Sequence, residues 1–367
     1  MAQAQPSTHR AAVLRGAKAL AFEQIETPTL QPHEVSIAPR ATGLCGTDLH
    51  YYQNGRNGIY TVKEPLVLGH EASGEIVAVG SGVTDFKIGD RVVLEPQLAC
   101  QECQKCRSGR YNLCKSMRFN GSASADPPVQ GSLQRALNHP ASLVYHLPDK
   151  LSFNEGALVE PLSVALHSVR KGRLDAGQTV LITGAGAVGL LCARMARISG
   201  AVSVTMVDVD ADRLRFAREH GLANATVQIP FNTQEGESAG DFIARMTDNV
   251  RNEHAGEADL ALECTGIESC LNICIGSVGA GAKIVVVGMG APRQELNLGL
   301  ALVREIEILP IWRYTNTFQP AIDLIAAGIV DVKPMITHTF DVEKVVDALE
   351  FSLSRPANLI KCVVTSK

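Results

Sequence analysis

The sequence predicts an α/β chain built from a strand-rich antiparallel part and a doubly wound parallel sheet. Three observations predict this. From 179 to 312, buried apolar runs of strand length alternate with helical patterns, as in a parallel sheet covered on both faces. The first of these runs, 180–183, passes directly into Gly184-Ala185-Gly186-Ala187-Val188-Gly189 and then into an apolar helical pattern. Before residue 160, short alternating runs are bounded by Pro28, Pro32 and Pro39 and by glycines, which suits antiparallel strands. At 367 residues the chain has room for two domains.

Composition narrows the class. With 46% hydrophobic and 20% charged residues the chain reads as soluble and globular. A net charge of −4 with no long basic run gives no footprint for nucleic acid. No apolar stretch reaches the roughly 18 residues needed to cross a bilayer. The polar segment 1–10 lacks the apolar core of a signal peptide, so the expected compartment is the cytoplasm. Ten cysteines there point to metal ligands or buried thiols before disulfides.

In chain order, runs at 11–13, 35–38, 72–79 and 91–94 are the antiparallel strands. Between them stands Cys45, flanked by Gly43 and Gly46, which suit a tight turn presenting a thiolate. His70 and Glu71 follow Gly69. Together Cys45, His70 and Glu71 offer the sulfur, nitrogen and oxygen donors of a catalytic zinc, which takes about three protein ligands and keeps a position open. Read singly, they are equally a core cysteine, a capping histidine and a surface glutamate. Thr47 and His50 lie close enough to pass a proton outward, though Thr47 could equally bond its own turn.

Cys100-x2-Cys103-x2-Cys106-x7-Cys114 offers four thiolates for a closed structural zinc site. A disulfide pair or an iron–sulfur cluster uses similar residues, but the offset of the fourth cysteine favours zinc. Segment 122–131 is a loop, and strand character resumes at 143–147. Residues 154–165 read as a helix interrupted by Pro161, which puts Glu160 at a kink. A carboxylate among apolar neighbours there is costly unless something cationic pairs with it.

In the second half, strand, G-x-G-x-x-G and helix in succession form a dinucleotide fingerprint carried by Gly184, Gly186, Val188 and Gly189. The next strand, 202–207, leads into Asp208, 19 residues after Gly189, where a carboxylate selects NAD by binding its ribose hydroxyls. Asp208 is also a possible helix cap for 211–220. Arg213 could stack on adenine or pair with Asp208 or Asp212. Runs 258–263, 283–287 and 305–312 are further strands, with a helix over 269–278. Ligands lie beyond the carboxyl ends of such strands, which brings in Gly266, Val287, Gly288 and Met289, although glycines there are also common turn residues. Trp312, Arg313 and Tyr314 follow the last strand, where Arg313 could pair with a core carboxylate or donate to substrate hydroxyls. Helices at 318–328 and 340–351 lead to a closing strand at 360–364 that rejoins the first part.

These motifs carry a family resemblance over nearly the whole chain: G-L-C-G-T-D-L-H-Y-Y, V-L-G-H-E-A-S-G-E, G-R-Y-N-L-C, G-A-L-V-E-P-L-S-V-A, G-A-G-A-V-G, E-C-T-G and R-Y-x-N-T. The chain resembles the zinc-containing medium-chain dehydrogenases, and within them the branch of sorbitol (L-iditol), xylitol and L-arabinitol dehydrogenases. The resemblance implies a GroES-like catalytic domain over 1–160 and 313–367, with a structural zinc lobe at 99–115. A Rossmann NAD-binding domain over 161–312 interrupts it. It further implies NAD and two zinc ions per chain, a small-molecule polyol substrate, and a homotetramer as the usual assembly.

At the metal, Cys45, His70 and Glu71 match the branch's zinc ligands. Glu160 matches a carboxylate that binds the zinc water or exchanges onto the metal, where alcohol dehydrogenases place a cysteine. Glu160 is then the candidate base, with Thr47 and His50 passing the proton to solvent. The implied pocket comprises Tyr51, Tyr60, Phe119, Glu160, Arg313 and Tyr314, with Trp312 at its edge and Trp312 and Arg313 also beside the cofactor. Tyr60 and Trp312 depart from the phenylalanines of sorbitol-preferring relatives; the favoured reaction is D-sorbitol to D-fructose, with xylitol as a second substrate and L-arabinitol as the alternative. A non-catalytic NAD-binding protein on the same fold is the reading from another class.

Overall fold

The computed structural model describes residues 8–367, so most of the polar N-terminal segment lies outside the described residues. The chain divides into two compact units. One holds the chain up to Glu160 together with Phe318–Lys367, and the other is Pro161–Thr317. The boundary expected at 312/313 therefore falls inside the second unit, and Trp312, Arg313 and Tyr314 belong to that unit.

The first unit is centred on Glu34–Gly43, a long strand buried along most of its length. It is paired antiparallel with Glu71–Val79 on one side and Lys361–Thr365 on the other. Arg91–Leu94 and Val144–His146 extend the sheet past Glu71–Val79, and Ile336–Asp341 extends it past Lys361–Thr365. Pro39 stands in this central strand at a register shift, where its missing N–H costs the ladder least. One apolar layer, with Val35, Ile37, Ile76, Val92 and Leu94, packs on this sheet. A second, with Leu14, Tyr51, Leu66, Leu68, Val345 and Leu349, packs under the small sheet of Leu20–Glu26, Thr8–Leu14 and Leu66–Val67. The expected closing strand does rejoin this unit, through Val363 opposite Gly43.

The second unit is a six-stranded sheet whose adjacent pairs are all parallel. Numbered along the chain its strands lie in the order 3-2-1-4-5-6. Order reverses beside Thr179–Thr183, the topological switch point at which such sheets take ligands. Leu181, Ala261 and Ile284 of its middle strands are fully buried, as expected for strands covered on both faces.

Three local expectations are corrected. Gly43 and Gly46 do not make a turn around Cys45: Cys45 is the extended N-cap residue of helix Gly46–Asn54. Pro161 does not interrupt a helix. The chain breaks at Leu158, between helices Phe153–Ala157 and Val159–Gly172, and Pro161 sits in the first turn of the second, where the N–H that proline lacks would have no helical acceptor anyway. The helix expected over 340–351 begins only at Val345, because Phe340 and Asp341 complete strand Ile336–Asp341.

Candidate active site

Cys45, His70 and Glu71 each place a ligand atom within 4.8 Å of the others. Local structure brings them there. Asp48, the third residue of helix Gly46–Asn54, accepts a hydrogen bond from the Cys45 N–H at 3.0 Å, closing a capping box. Its other oxygen accepts from the Gly69 N–H at 2.9 Å and lies 3.7 Å from His70 Nδ1. One buried carboxylate thus ties the cysteine segment to the histidine segment. Gly69 has φ +93°, and a Cβ there would strike Ser132 Oγ and the Thr42 methyl group, so glycine is required before His70. Glu71 then opens strand Glu71–Val79 directly opposite Gly43.

The site carries a surplus of negative charge. Burial opposes a charged His70 ring, yet the neighbouring Asp48, Cys45 and Glu160 outweigh burial and raise its pKa to about 10. Burial likewise opposes the Lys361 ammonium, and Glu71, Cys45 and Glu160 keep it charged. Among the described residues His70 Nδ1 is buried without a hydrogen-bond partner. One thiolate, one imidazole and one carboxylate converging in an anionic pocket fit zinc by donor type. Cys45, His70 and Glu71 are the residues that would hold it.

Around these donors, the Phe119 ring packs tilted on the His70 ring with centroids 5.3 Å apart. Glu160 is 7% exposed in the first turn of its helix, close enough for its charge to bear on both His70 and Lys361. The Thr47 hydroxyl does not bond its own turn; it accepts from Asn57 Nδ2 at 3.3 Å. His50, on the same helix, is exposed. Tyr51 is fully buried in the core, and its hydroxyl meets Ser122 Oγ and the Ala123 N–H, each at 3.1 Å. Tyr60 is half-buried against the same core, in the short hairpin of Arg56–Asn57 and Tyr60–Thr61.

Asp48 and Lys361 are site residues that sequence reasoning passed over. Asp48 had a signal, an acidic side chain three residues after a cap position. Lys361 had a fainter one, a single cation in an otherwise apolar strand.

The four-cysteine lobe is assembled apart from these donors. Its sulfurs lie 3.5 Å (Cys103 to Cys106), 3.5 Å (Cys114 to Cys100) and 3.9 Å (Cys100 to Cys106) apart. A tetrahedron with metal–sulfur bonds of about 2.3 Å has edges of about 3.8 Å, close to these three separations, so the set fits zinc. The Cys106 N–H pulls the Cys103 thiol down to about 6, whereas burial and the neighbouring thiols push Cys106 up to about 12.

In the second unit the fingerprint adopts the geometry its glycines allow. Gly184 has φ +92°, and a Cβ on Gly189 would collide with the Gly184 carbonyl. Helix Ala187–Ile198 starts immediately after Gly186. Asp208 ends the neighbouring strand and accepts from the Ala185 and Asp210 N–H groups. It does not cap the following helix; Asp210 does that and also pairs with Arg213 at 3.6 Å. Val287 and Gly288 donate to the Glu263 carbonyl, while Gly266, at φ +72°, leaves no room for a Cβ against Met289 and Gly290. Glu263 was also passed over: its buried carboxylate accepts from the Thr265 and Gly266 N–H groups and shapes this turn. The Arg313 guanidinium lies 4.8 Å from the Trp312 ring, on a backbone with φ +55°.

Comparison with known proteins agrees with both units. Residues 31–149 match the alcohol dehydrogenase GroES-like domain, and residues 187–327 match the zinc-binding dehydrogenase model. Sorbitol dehydrogenase of Gallus gallus is 38% identical over 93% of this chain and 92% of its own. L-idonate 5-dehydrogenase of Vitis vinifera is 38% identical over 96% and 93%. The solved 2R,3R-butanediol dehydrogenase of Bacillus subtilis is 29% identical, with a TM-score of 0.82, over 98% of this chain and 100% of its own. The chain belongs to the zinc-binding dehydrogenases with a GroES-like domain and is a zinc-dependent dehydrogenase acting on CH–OH donors.

Proposed function

We propose that this enzyme oxidises a secondary hydroxyl of a sugar alcohol, D-sorbitol to D-fructose and also xylitol to D-xylulose, with hydride transfer to NAD. The observation that carries this reading is the donor set of Cys45, His70 and Glu71; beside it, the family resemblance puts Glu160 where alcohol dehydrogenases carry a second thiolate, which would make the metal more electron-rich. The relatives named for sorbitol and L-idonate support it.

Zinc, when bound, supplies Lewis acidity that lowers the pKa of the substrate hydroxyl. Cys45, His70 and Glu71 would hold it, and Asp48 orients the first two. Glu160 takes the hydroxyl proton, and Thr47 and the exposed His50 hand it to solvent. Phe119 shields the His70 ring from water. The glycine turn at Gly184–Gly189 takes the pyrophosphate at a helix N-terminus, with Val287, Gly288 and Met289 toward nicotinamide. Tyr51, Tyr60, Tyr314 and Arg313 are the residues we assign to the polyol hydroxyls. Each hydroxyl left unpaired penalises a wrong isomer.

The test is a panel of D-sorbitol, xylitol, L-arabinitol, galactitol, L-idonate and simple alcohols with NAD and NADP. The highest kcat/KM is expected for sorbitol with NAD. Preference for L-arabinitol moves the enzyme to the neighbouring activity of the branch, and absence of turnover on every sugar alcohol of the panel overturns the polyol reading. Zinc content should approach two per chain, one at each cysteine-bearing cluster.

Asp208→Ser tests the nucleotide choice. Asp208 is held at its strand end by two backbone donors, which fixes its carboxylate for the ribose hydroxyls. Losing charged hydrogen bonds to NAD, and the repulsion of a 2′-phosphate, should shift the NADP-to-NAD efficiency ratio by about 10- to 100-fold. An unchanged ratio removes Asp208 from this role.

A homotetramer is the assembly we propose. Leu298, Leu302 and Val303 are exposed beside strand Glu307–Pro310 at the sheet edge, a surface suited to a second copy. The ten cysteines are all free, in keeping with the cytoplasm. Among the described residues no helix is long and apolar enough to cross a membrane.

A further inference from the structure

Lys361 is, among the described residues, the only buried lysine or arginine, 4% exposed. It opens the last strand, Lys361–Thr365, two strands away from Glu71 in the sheet. Its ammonium nevertheless pairs with Glu71 Oε2. The strand between them ends at Gly43, and that residue makes the meeting possible. A Cβ on Gly43 would strike both Glu71 Oε2 and Lys361 Cε, so the ion pair occupies the space that a side chain would fill.

We propose that Lys361 is a positioning residue for the metal: it pins one oxygen of Glu71 across Gly43, so that this carboxylate offers the metal a single oxygen. The inference rests on the reading that Cys45, His70 and Glu71 hold the catalytic zinc. A carboxylate can ligate through one oxygen or two. With Oε2 committed to a buried ammonium, only Oε1 is left for the metal, and a low coordination number with an open position is preserved for substrate. An ammonium suits this position because it is a compact donor on a flexible stem, and it leaves the metal's own charge unopposed by a further anion. The arrangement also explains why a lysine is tolerated in an otherwise apolar strand, since an unpaired buried cation there would be costly.

The experiment uses the full-length protein with cobalt exchanged into the Cys45 site, and reads its visible absorption. Wild type should show a thiolate-to-cobalt band together with the intense absorption of a four-coordinate ion. In Lys361→Met, Glu71 is free to turn both oxygens to the metal, and the visible absorbance per cobalt should fall about twofold or more as coordination number rises. Lys361→Arg should restore the wild-type spectrum. Gly43→Ala, whose Cβ would push the pair apart while both side chains stay unsubstituted, should reproduce the Lys361→Met spectrum and keeps the test decisive if that variant does not fold. A wild-type spectrum in folded Lys361→Met or Gly43→Ala overturns the proposal. Absence of the thiolate band in wild type itself overturns instead the zinc reading on which it rests.

Discussion

Glu160→Gln is expected to lower kcat by roughly 10²- to 10⁴-fold, the range set by losing a positioned general base, while leaving both zinc ions bound. The amide keeps the volume and the apolar contacts of a side chain that is 7% exposed, so the helix that starts at Val159 should still form. What it loses is the capacity to accept a proton. Glu160 bears electrostatically on His70 and Lys361, placing it beside the proposed metal ligands and not among the structural cysteines. The loss should appear in kcat and kcat/KM together, because the interaction is made in the transition state and not in substrate binding. Steady-state rates with sorbitol and NAD, alongside zinc content by atomic emission, check this. A near-normal oxidation rate at full zinc occupancy would sink the role given to Glu160.

What could be read in advance was what the chain encodes locally. Gly184 and Gly189 were legible because their need for glycine arises within one turn of backbone. The spacing of Cys100, Cys103, Cys106 and Cys114 likewise closes a cluster within a few residues. Lys361 left only a faint sign, a lone cation in a mostly apolar strand, because its reason for being charged lies at Glu71, on a strand it meets only through the sheet. Asp48 stands between these cases. Its cap bond to Cys45 is local, but its bond to Gly69, which makes it an organiser of the site, is not. Pro161 was misread for another reason: a proline in the first turn of a helix and one in its interior look alike until the preceding break, here at Leu158, is known.

Cys106→Ser is expected to do the opposite of Glu160→Gln, lowering stability and zinc content while sparing the chemistry. Cys106 is within 3.9 Å of Cys100 and 3.5 Å of Cys103, and a hydroxyl is a far poorer zinc ligand than a thiolate. Zinc should fall from about two per chain toward one, and thermal unfolding should begin at a lower temperature as the lobe loses the metal that folds it. The catalytic donors should survive because the lobe hangs from a ladder anchored elsewhere. Gln97–Leu98 and Arg118–Phe119 pair antiparallel on either side of it, and that pairing is what carries Phe119 to His70. Beneath the ladder, the buried Glu95 accepts from Gln97 Nε2 at 3.2 Å and from the Tyr145 hydroxyl at 2.9 Å, contacts that lie outside the lobe. The further bond from Tyr111 to Glu95 is the one that unfolding of the lobe would remove. Turnover per remaining zinc, measured well below the unfolding temperature, should therefore stay within about threefold of wild type, as for interactions that act independently. A folded Cys106→Ser protein that has lost turnover would show that the ladder alone does not hold Phe119 against His70, and that the lobe's metal belongs to the catalytic site after all.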